Sequence, residues 1–320
     1  MTALPAPETT PQSPRPRSRA WRRFRRNRSA MVAVVVLGAI VLACVGTLPW
    51  TTAEVDGQVR YDRQAAGPIL APPTAELPMG TDNLGRSVLV RLLYGGAISL
   101  AIGLTAAAIA VVIGVGYGAV AGWCGGRVDG LMMRVVDVLY GLPYILLVIL
   151  LKVALEGPLA ALLGSPRMAN ILVLLGAIGA VSWLTMARVV RGQVLSLKVR
   201  PFIEAARASG ASGAWTLVRH ILPNLVGPVL VYATLTVPQA ILQESFLSFL
   251  GIGIAPPTPT WGAMAADGIA HFNPIHVDWW LVVFPCASLA LTLLALNYLG
   301  DGLRDALDPS GESTDVKTQR

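Results

Sequence analysis

Pro201-Phe202-Ile203-Glu204-Ala205-Ala206-Arg207-Ala208-Ser209-Gly210, continued through Ala211 to Arg219 and closed by His220-Ile221-Leu222-Pro223, is the stretch on which the reading of this chain turns. Pro201 suits a first helical turn, and Glu204, Ala205, Ala206 and Arg207 are helix formers with the acid near the positive end of the dipole. Gly210 is suited to end that helix in a left-handed conformation. Ser212 is placed to cap a second short helix through Trp215, Leu217 and Val218, and Pro223 is expected to keep it from running unbroken into the apolar residues beyond. The residues thus predict helix, turn and helix, with small side chains on the first and an apolar ridge of Trp215, Leu217 and Ile221 on the second. On physical grounds this is either a docking plug for another protein or an ordinary interfacial helix pair.

Both flanks of the segment are apolar. The 320 residues are 54% hydrophobic and 13% charged, with a mean hydropathy of +0.61, where a soluble domain carries roughly a quarter charged residues. Crossing a bilayer takes about 20 mostly apolar helical residues, because a helix satisfies its own backbone hydrogen bonds in lipid. Six stretches qualify, near Ala30 to Leu48, Ala97 to Val120, Val135 to Leu155, Ile171 to Val190, Leu225 to Leu247 and Trp279 to Leu299. An all-α membrane protein with six transmembrane helices is expected.

The net charge of +7 is distributed between the apolar blocks, so it reads as a topology signal and not as a nucleic-acid surface. Eight arginines lie between Arg15 and Arg28, just before the first span, which puts the N-terminus in the cytoplasm, and six spans return the C-terminus to the same side. Arg127, Arg134, the stretch Arg188 to Arg219 and Arg304 then fall inside, while Gly251 to Asp278, without Lys or Arg, falls outside. The first outer loop breaks the pattern with Arg60, Arg63, Arg86 and Arg91, but it also carries Glu54, Asp56, Asp62, Glu76 and Asp82. A signal peptide cleaved near Val41-Leu42-Ala43-Cys44 is the alternative reading, and it would invert this logic. Residues 1 to 20, rich in Pro and Arg, read as disordered.

Residues 49 to 90 are polar and long enough for a small extracytoplasmic subdomain. They end in Gly80-Thr81-Asp82-Asn83-Leu84-Gly85-Arg86, a tight loop with an Asx-type turn former, and Ser87 to Tyr94 read as an amphipathic lead-in to the second span. The division expected is a basic N-terminus (1–28), the first span with its outer loop (29–94), a five-helix core (95–300) holding the loop 201–223, and a cytoplasmic tail (301–320).

Several chemistries are excluded. No Gly-x-x-x-x-Gly-Lys-[Ser/Thr] occurs, and none of the lysines, Lys152, Lys198 and Lys317, follows a glycine, so the chain is not itself an ATPase. His220, His271 and His276 form no zinc-protease motif, Ser245 and Ser248 have no histidine at their depth, and Cys44, Cys124 and Cys286 lack metal-site spacing. No catalytic and no metal-binding residue is expected. Ionisable residues inside spans are costly and often mark pathways. Glu244, deep in the fifth span, is a candidate for lining a path or for an interhelical hydrogen bond, and Asp137, at the inner end of the third, for a path or a contact with Arg134 or Arg188. Lys152 is expected to snorkel to the outer interface. Glycines at 103, 114, 116, 118 and 122 point to close helix packing within the chain.

Glu204-Ala205-Ala206, then Gly210, then Leu222-Pro223 at this spacing resembles the EAA motif of binding-protein-dependent ABC importer permeases, with His220 in place of the usual Ile. Gly80 to Arg86, Ser245-Phe246-Leu247-Ser248-Phe249-Leu250-Gly251-Ile252-Gly253 and Gly300-Asp301-Gly302-Leu303-Arg304-Asp305-Ala306-Leu307-Asp308-Pro309 resemble the C-type subunit of the dipeptide, oligopeptide and nickel permeases. Ser87 and Thr260 stand where that branch often has acids. The resemblance implies a type I ABC importer permease fold in the cytoplasmic membrane, with Glu204, Ala205, Ala206, Gly210, Leu222 and Pro223 in a coupling helix that docks on an ATPase. It also implies a homologous second permease, two ATPase subunits that bind the ATP and Mg, and an extracytoplasmic solute-binding protein that meets the rigid outer loop Ile254 to Gly262. The cargo implied is a peptide, with nickel, glutathione or opines as alternatives. An ion-gradient secondary transporter and a non-transporting scaffold are the other classes weighed; no repeat is evident between residues 97–190 and 225–299 to favour the former.

Overall fold

The computed structural model describes residues 16–271 and 277–307. Helices α1 (Pro16–Arg26), α2 (Arg28–Gly46) and α3 (Leu48–Thr51) lead into a hairpin of β1 (Glu54–Val55) and β2 (Gln58–Val59). There follow α4 (Val88–Cys124), α5 (Gly126–Gly141), α6 (Tyr144–Leu163), α7 (Pro166–Lys198), α8 (Pro201–Ala208), α9 (Gly213–Thr216), a π-helical turn (Leu217–Ile221), α10 (Leu222–Phe249), α11 (Trp261–Ala270) and α12 (Trp280–Leu307). Six segments are long and apolar enough to cross a membrane, as the sequence predicts: Arg28–Thr51, Val88–Cys124, Tyr144–Leu163, Pro166–Lys198, Gly213–Phe249 and Trp280–Leu307. The architecture is an all-α membrane bundle.

The third span is not where the hydropathy put it. Instead of one helix from Val135 to Leu155, α5 ends at Gly141 and α6 begins at Tyr144. Pro143 is the cause, because its ring disfavours the helical region for the preceding residue, and Leu142 is extended at φ −78°, ψ 140°. Asp137 therefore lies on α5, outside the span. The second span needs no separate lead-in, since α4 is one helix of 37 residues, about 55 Å at 1.5 Å per residue and well beyond the ~30 Å hydrocarbon core. From Pro16 the chain is helical where disorder was expected, with residues 1–15 and His276 outside the described residues. At the other end α12 continues helically to Leu307, seven residues into what reads from sequence as tail.

The bundle is organised around α4 and α7. In each, 44% of the apolar window is buried, against 11% for the first span and 6% for α6, which puts those two at the periphery. Gly114, Gly118 and Gly122 let the central backbones approach. A Cβ on Gly114 would stand 2.6 Å from the Met186 Cβ, one on Gly122 2.9 Å from the Val194 Cβ, and one on Gly118 would run into the Ala187 carbonyl oxygen. Gly103 makes the same kind of contact with Val237 and Ile241 of α10, whereas Gly116 faces open space. The glycines serve packing within the chain.

Among the described residues, the segments that join the spans at the end opposite α8 fold onto one another. Asp82 accepts from the Leu84 and Arg86 backbone at 2.9 and 3.0 Å, forming the Asx turn, and binds the Arg86 guanidinium at 2.8 Å; Arg86 also reaches Asp62 at 2.9 Å. Trp280 Nε1 donates to the Thr81 carbonyl, which ties α12 to the loop before α4, and Trp261 Nε1 donates to that of Leu92, which ties α11 to the first turns of α4. Lys152 has a fixed partner: its Nζ donates to the Ile252 and Gly253 carbonyls at 2.8 and 2.9 Å, clamping α6 to the turn after α10. The segment 251–278 is not all loop, since Thr260 caps α11 by accepting from Ala263 N at 3.0 Å.

Gly118→Val is expected to abolish the monodisperse peak of the detergent-solubilised protein in size-exclusion chromatography, while Gly116→Val elutes like wild type. Equal behaviour of the two would remove the α4–α7 seam from its organising position.

Candidate translocation cavity and docking face

The segment 201–223 forms a shelf across one end of α4 and α7. Pro201 sits in the first turn of α8, and Gly210, at φ +84°, ends it. Gly210 N donates to the Arg207 carbonyl at 2.9 Å and Ala211 N to that of Ala206 at 3.1 Å, the paired bonds of a Schellman turn. Ser212 caps α9 by accepting from Trp215 N at 3.4 Å. Pro223 does not interrupt the helix that follows. It falls in the first turn of α10, where no intrahelical donor is needed, and the π turn Leu217–Ile221 carries the helix past it from α9.

The shelf has a fixed face and a free one. Ile203, Thr216 and Ile221 are fully buried, the two isoleucines packing with Val190, Val194 and Leu225. Phe202, Trp215 and Val218 are 45%, 50% and 62% exposed, and Glu204, Ala205, Gly210 and Pro223 are exposed beside them, with Ala206 and Leu222 half-buried. A Cβ on Gly210 would meet nothing within 4 Å, so within this chain glycine is required there by backbone conformation alone. His220 lies edge-on to both Phe202 and Trp215, at centroid separations of 6.5 and 5.0 Å, and so holds the two short helices together.

Cations join the shelf to the central helices. Arg207 of α8 stacks 4.7 Å from the ring of Trp123, in the last turn of α4, and Lys198 donates to the Trp123 carbonyl at 2.5 Å. Arg191 grips Asp129 of α5 through two bonds of 2.5 and 2.6 Å, and Arg188 binds Asp137 at 2.8 Å while its guanidinium lies 4.2 Å from the Tyr140 ring. The hydrogen bonds from Arg191 hold the Asp129 carboxyl below its ordinary pKa, against the opposing effect of burial.

Beyond this end, a cavity of about 410 Å³ opens among the end of α5, the start of α6, α7 and α10, within the range of small-molecule sites. Its polar wall includes Ser182 and Thr185 of α7 and Tyr232, Thr236, Gln239 and Gln243 of α10. The α10 residues recur at i, i+4, i+7 and i+11 and share one helical face. Among the described residues that line the cavity there is no Asp, Glu, Lys, Arg or His.

Neither residue considered for a path from the sequence lines this cavity. Glu244 is fully buried one position beyond Gln243, and its Oε1 accepts from the hydroxyls of Ser248 and Thr260, both at 2.7 Å, fastening α10 to the cap of α11. Asp137 is on α5, paired with Arg188. The uncharged stripe on α10 carries no ionisable residue to mark it, although its spacing is present in the sequence. A second cavity of about 440 Å³, at the opposite end, is lined by groups that include Arg86, Arg91, Lys152 and Asp267. Burial raises the Asp267 carboxyl pKa, with the charges of Arg91 and Arg86 acting against it.

A family model of the binding-protein-dependent transport system inner membrane component matches residues 114–311. The chain belongs to this permease family. A model of the N-terminal TM domain of oligopeptide transport permease C matches residues 15–75 of the permease. The permease is 45% identical over 291 residues to the dipeptide transport system permease protein DppC of Bacillus subtilis (strain 168), covering 91% of this chain and 84% of that protein. It is 45% identical over 292 residues to the oligopeptide transport system permease protein OppC of Escherichia coli (strain K12), covering 91% and 90%. A chain of the MetNI methionine ABC transporter, in a crystal structure of inward-facing conformations, superposes with a TM-score of 0.53 at 18% identity, over 68% of this permease and 96% of that chain. That likeness is one of fold. The permease is thus a multi-pass membrane protein and a transport component of an ABC importer.

Asp129→Asn is expected to lower stability in detergent by about 2 kcal/mol, the scale of a charge-assisted hydrogen bond. Because the folded pKa of Asp129 is lowered, the wild-type contribution is complete above the unfolded value of 3.8 and is lost as pH falls through the folded value. Thermal unfolding from pH 8 downward should therefore give a constant difference between the two proteins that narrows only in strong acid.

Proposed function

We propose that this chain is one of two permease subunits that form the peptide path of an ATP-driven importer in the cytoplasmic membrane, and that it performs no bond chemistry. The cargo reading is supported by relatives 43–45% identical along most of their length that are named for dipeptide or oligopeptide transport. The cavity wall of α5, α6, α7 and α10 is one side of the path, and a homologous permease supplies the other. An extracytoplasmic solute-binding protein delivers peptide at the α11 end.

The observation that carries the mechanism is the shelf itself. Its buried isoleucines fix it to the ends of α4 and α7, while Glu204, Ala205, Ala206 and Gly210 with Leu222 and Pro223 form a small-residue surface rimmed by exposed Phe202, Trp215 and Val218. In this reading one of two cytoplasmic ATPase subunits receives that surface in a groove, and ATP with Mg, held by those subunits, drives their closure. The displacement passes from α8 through Arg207 and Trp123 to α4, and through Arg191, Asp129, Arg188 and Asp137 across α5 and α7. Charge placement supports the orientation: Arg127, Arg134, Lys198, Arg200 and Arg219 gather at the shelf end, as the cytoplasmic side requires, and the N- and C-termini then lie on that side. The partners are thus lipid and protein, with no role for nucleic acid.

Gly210→Trp fills space that is open in the isolated subunit. Co-expressed with the ATPases and the second permease, the variant is expected to recover the permease partner on affinity purification, to lose most of the ATPase, and to lose ATP-dependent peptide uptake. Uptake at the wild-type rate would rule out the shelf as the coupling surface.

A further inference from the structure

We propose that the α10 face of Tyr232, Thr236, Gln239 and Gln243, with Tyr144 of α6 beside it, is a neutral hydrogen-bonding track that holds the main-chain amides of a peptide, so that side-chain charge does not govern passage. Gln239 and Gln243 are its specificity-determining positions. The inference rests on the peptide-importer reading and adds the contact chemistry of the path.

Three observations converge on it. The four α10 residues fall on a single helical face and all line the 410 Å³ cavity. The Oε1 of Gln243 and the hydroxyl of Tyr144 are both buried and have no hydrogen-bond partner among the described residues, whereas native proteins leave few buried polar groups without one. Both residues belong to the cavity wall, where an incoming N–H supplies what the Gln243 oxygen lacks, and the Tyr144 hydroxyl is able either to donate or to accept.

The third observation is how charge is kept off this wall. Among the described residues no charged side chain lines the cavity: Asp137 is paired with Arg188, which stacks on the ring of Tyr140, and Glu244 points its Oε1 to Ser248 and Thr260, while its Oε2 is buried without a partner. A fixed charge at membrane depth, weakly screened, would hold cargo of opposite sign and reject cargo of like sign. Peptides differ in side-chain charge but share a backbone that offers a donor and an acceptor at nearly every residue. Carboxamide and hydroxyl groups match that backbone, because each both donates and accepts.

The test uses the complete transporter in proteoliposomes, with its own binding protein, taking up Ala-Lys-Ala and Ala-Glu-Ala together under ATP. The measured quantity is the ratio of the two uptake rates relative to wild type. This cancels the selectivity of the binding protein and any difference in the amount of active complex. Gln239 is exposed on the track, so either charge is accommodated there without disturbing the core. Gln239→Glu is expected to raise the Lys-to-Glu ratio by about tenfold or more and Gln239→Lys to lower it by as much, the effect of one unscreened charge. If either variant gives too little uptake to measure, Thr236→Glu and Thr236→Lys, one turn away on the same face, give the same readout. Ratios that stay at the wild-type value in both charge variants, with uptake preserved, overturn the track. If wild type takes up neither peptide under ATP, the peptide-importer reading itself falls, which is a separate result.

Discussion

The close approach of α4 and α7 is the contact on which the rest of the molecule depends. Nothing drives apolar helices together in lipid as water does, so association rests on van der Waals fit and on backbones that come near one another. Glycine at 114, 118 and 122 supplies that fit with Met186, Ala187, Val190 and Val194. Once the two long helices are joined, α6 lies along α7, α10 closes on α4 through Gly103, and the ends of both helices stand together as the base for the shelf.

Charge is distributed according to what lies around each position. At the shelf end Arg188, Arg191, Lys198 and Arg207 all find carboxylates, carbonyls or aromatic faces, because a polar surface is tolerated there. At the opposite end Asp82, Arg86 and Asp62 do the same within a folded loop. Between the two, the cavity wall sets uncharged polar groups among apolar ones, which provides hydrogen bonding without the cost of an unpaired charge. Glu244 is fully enclosed as well: its Oε1 accepts from two hydroxyls, while its Oε2 is buried without a partner among the described residues.

The shelf combines rigid anchoring with an unencumbered outer surface. Its buried residues belong to the same cluster that joins the ends of α4 and α7, so displacement of the shelf necessarily acts on those helices. The π turn between α9 and α10 keeps the connection to the cavity-lining helix continuous. One short segment is therefore linked to three of the helices that build the bundle and the cavity.

The sequence by itself determined the membrane class, the six spans, the helix–turn–helix at 201–216 and the left-handed end at Gly210. These follow from local rules: the length of apolar runs, the preference of proline for a first turn, and the freedom of glycine at positive φ. It left open what depends on contacts distant in sequence. The hydropathy of 135–155 did not reveal that Leu142-Pro143 divides it, and Asp137 and Glu244 drew attention as ionisable residues. Only the packing of α7 against α5 and of α11 against α10 decided that both are engaged by neighbours, and only the placement of α10 against α7 decided which face of α10 meets the cavity. A periodic stripe is visible in one dimension, but what it faces is fixed by side chains of α6 and α7 that are distant from it in the chain.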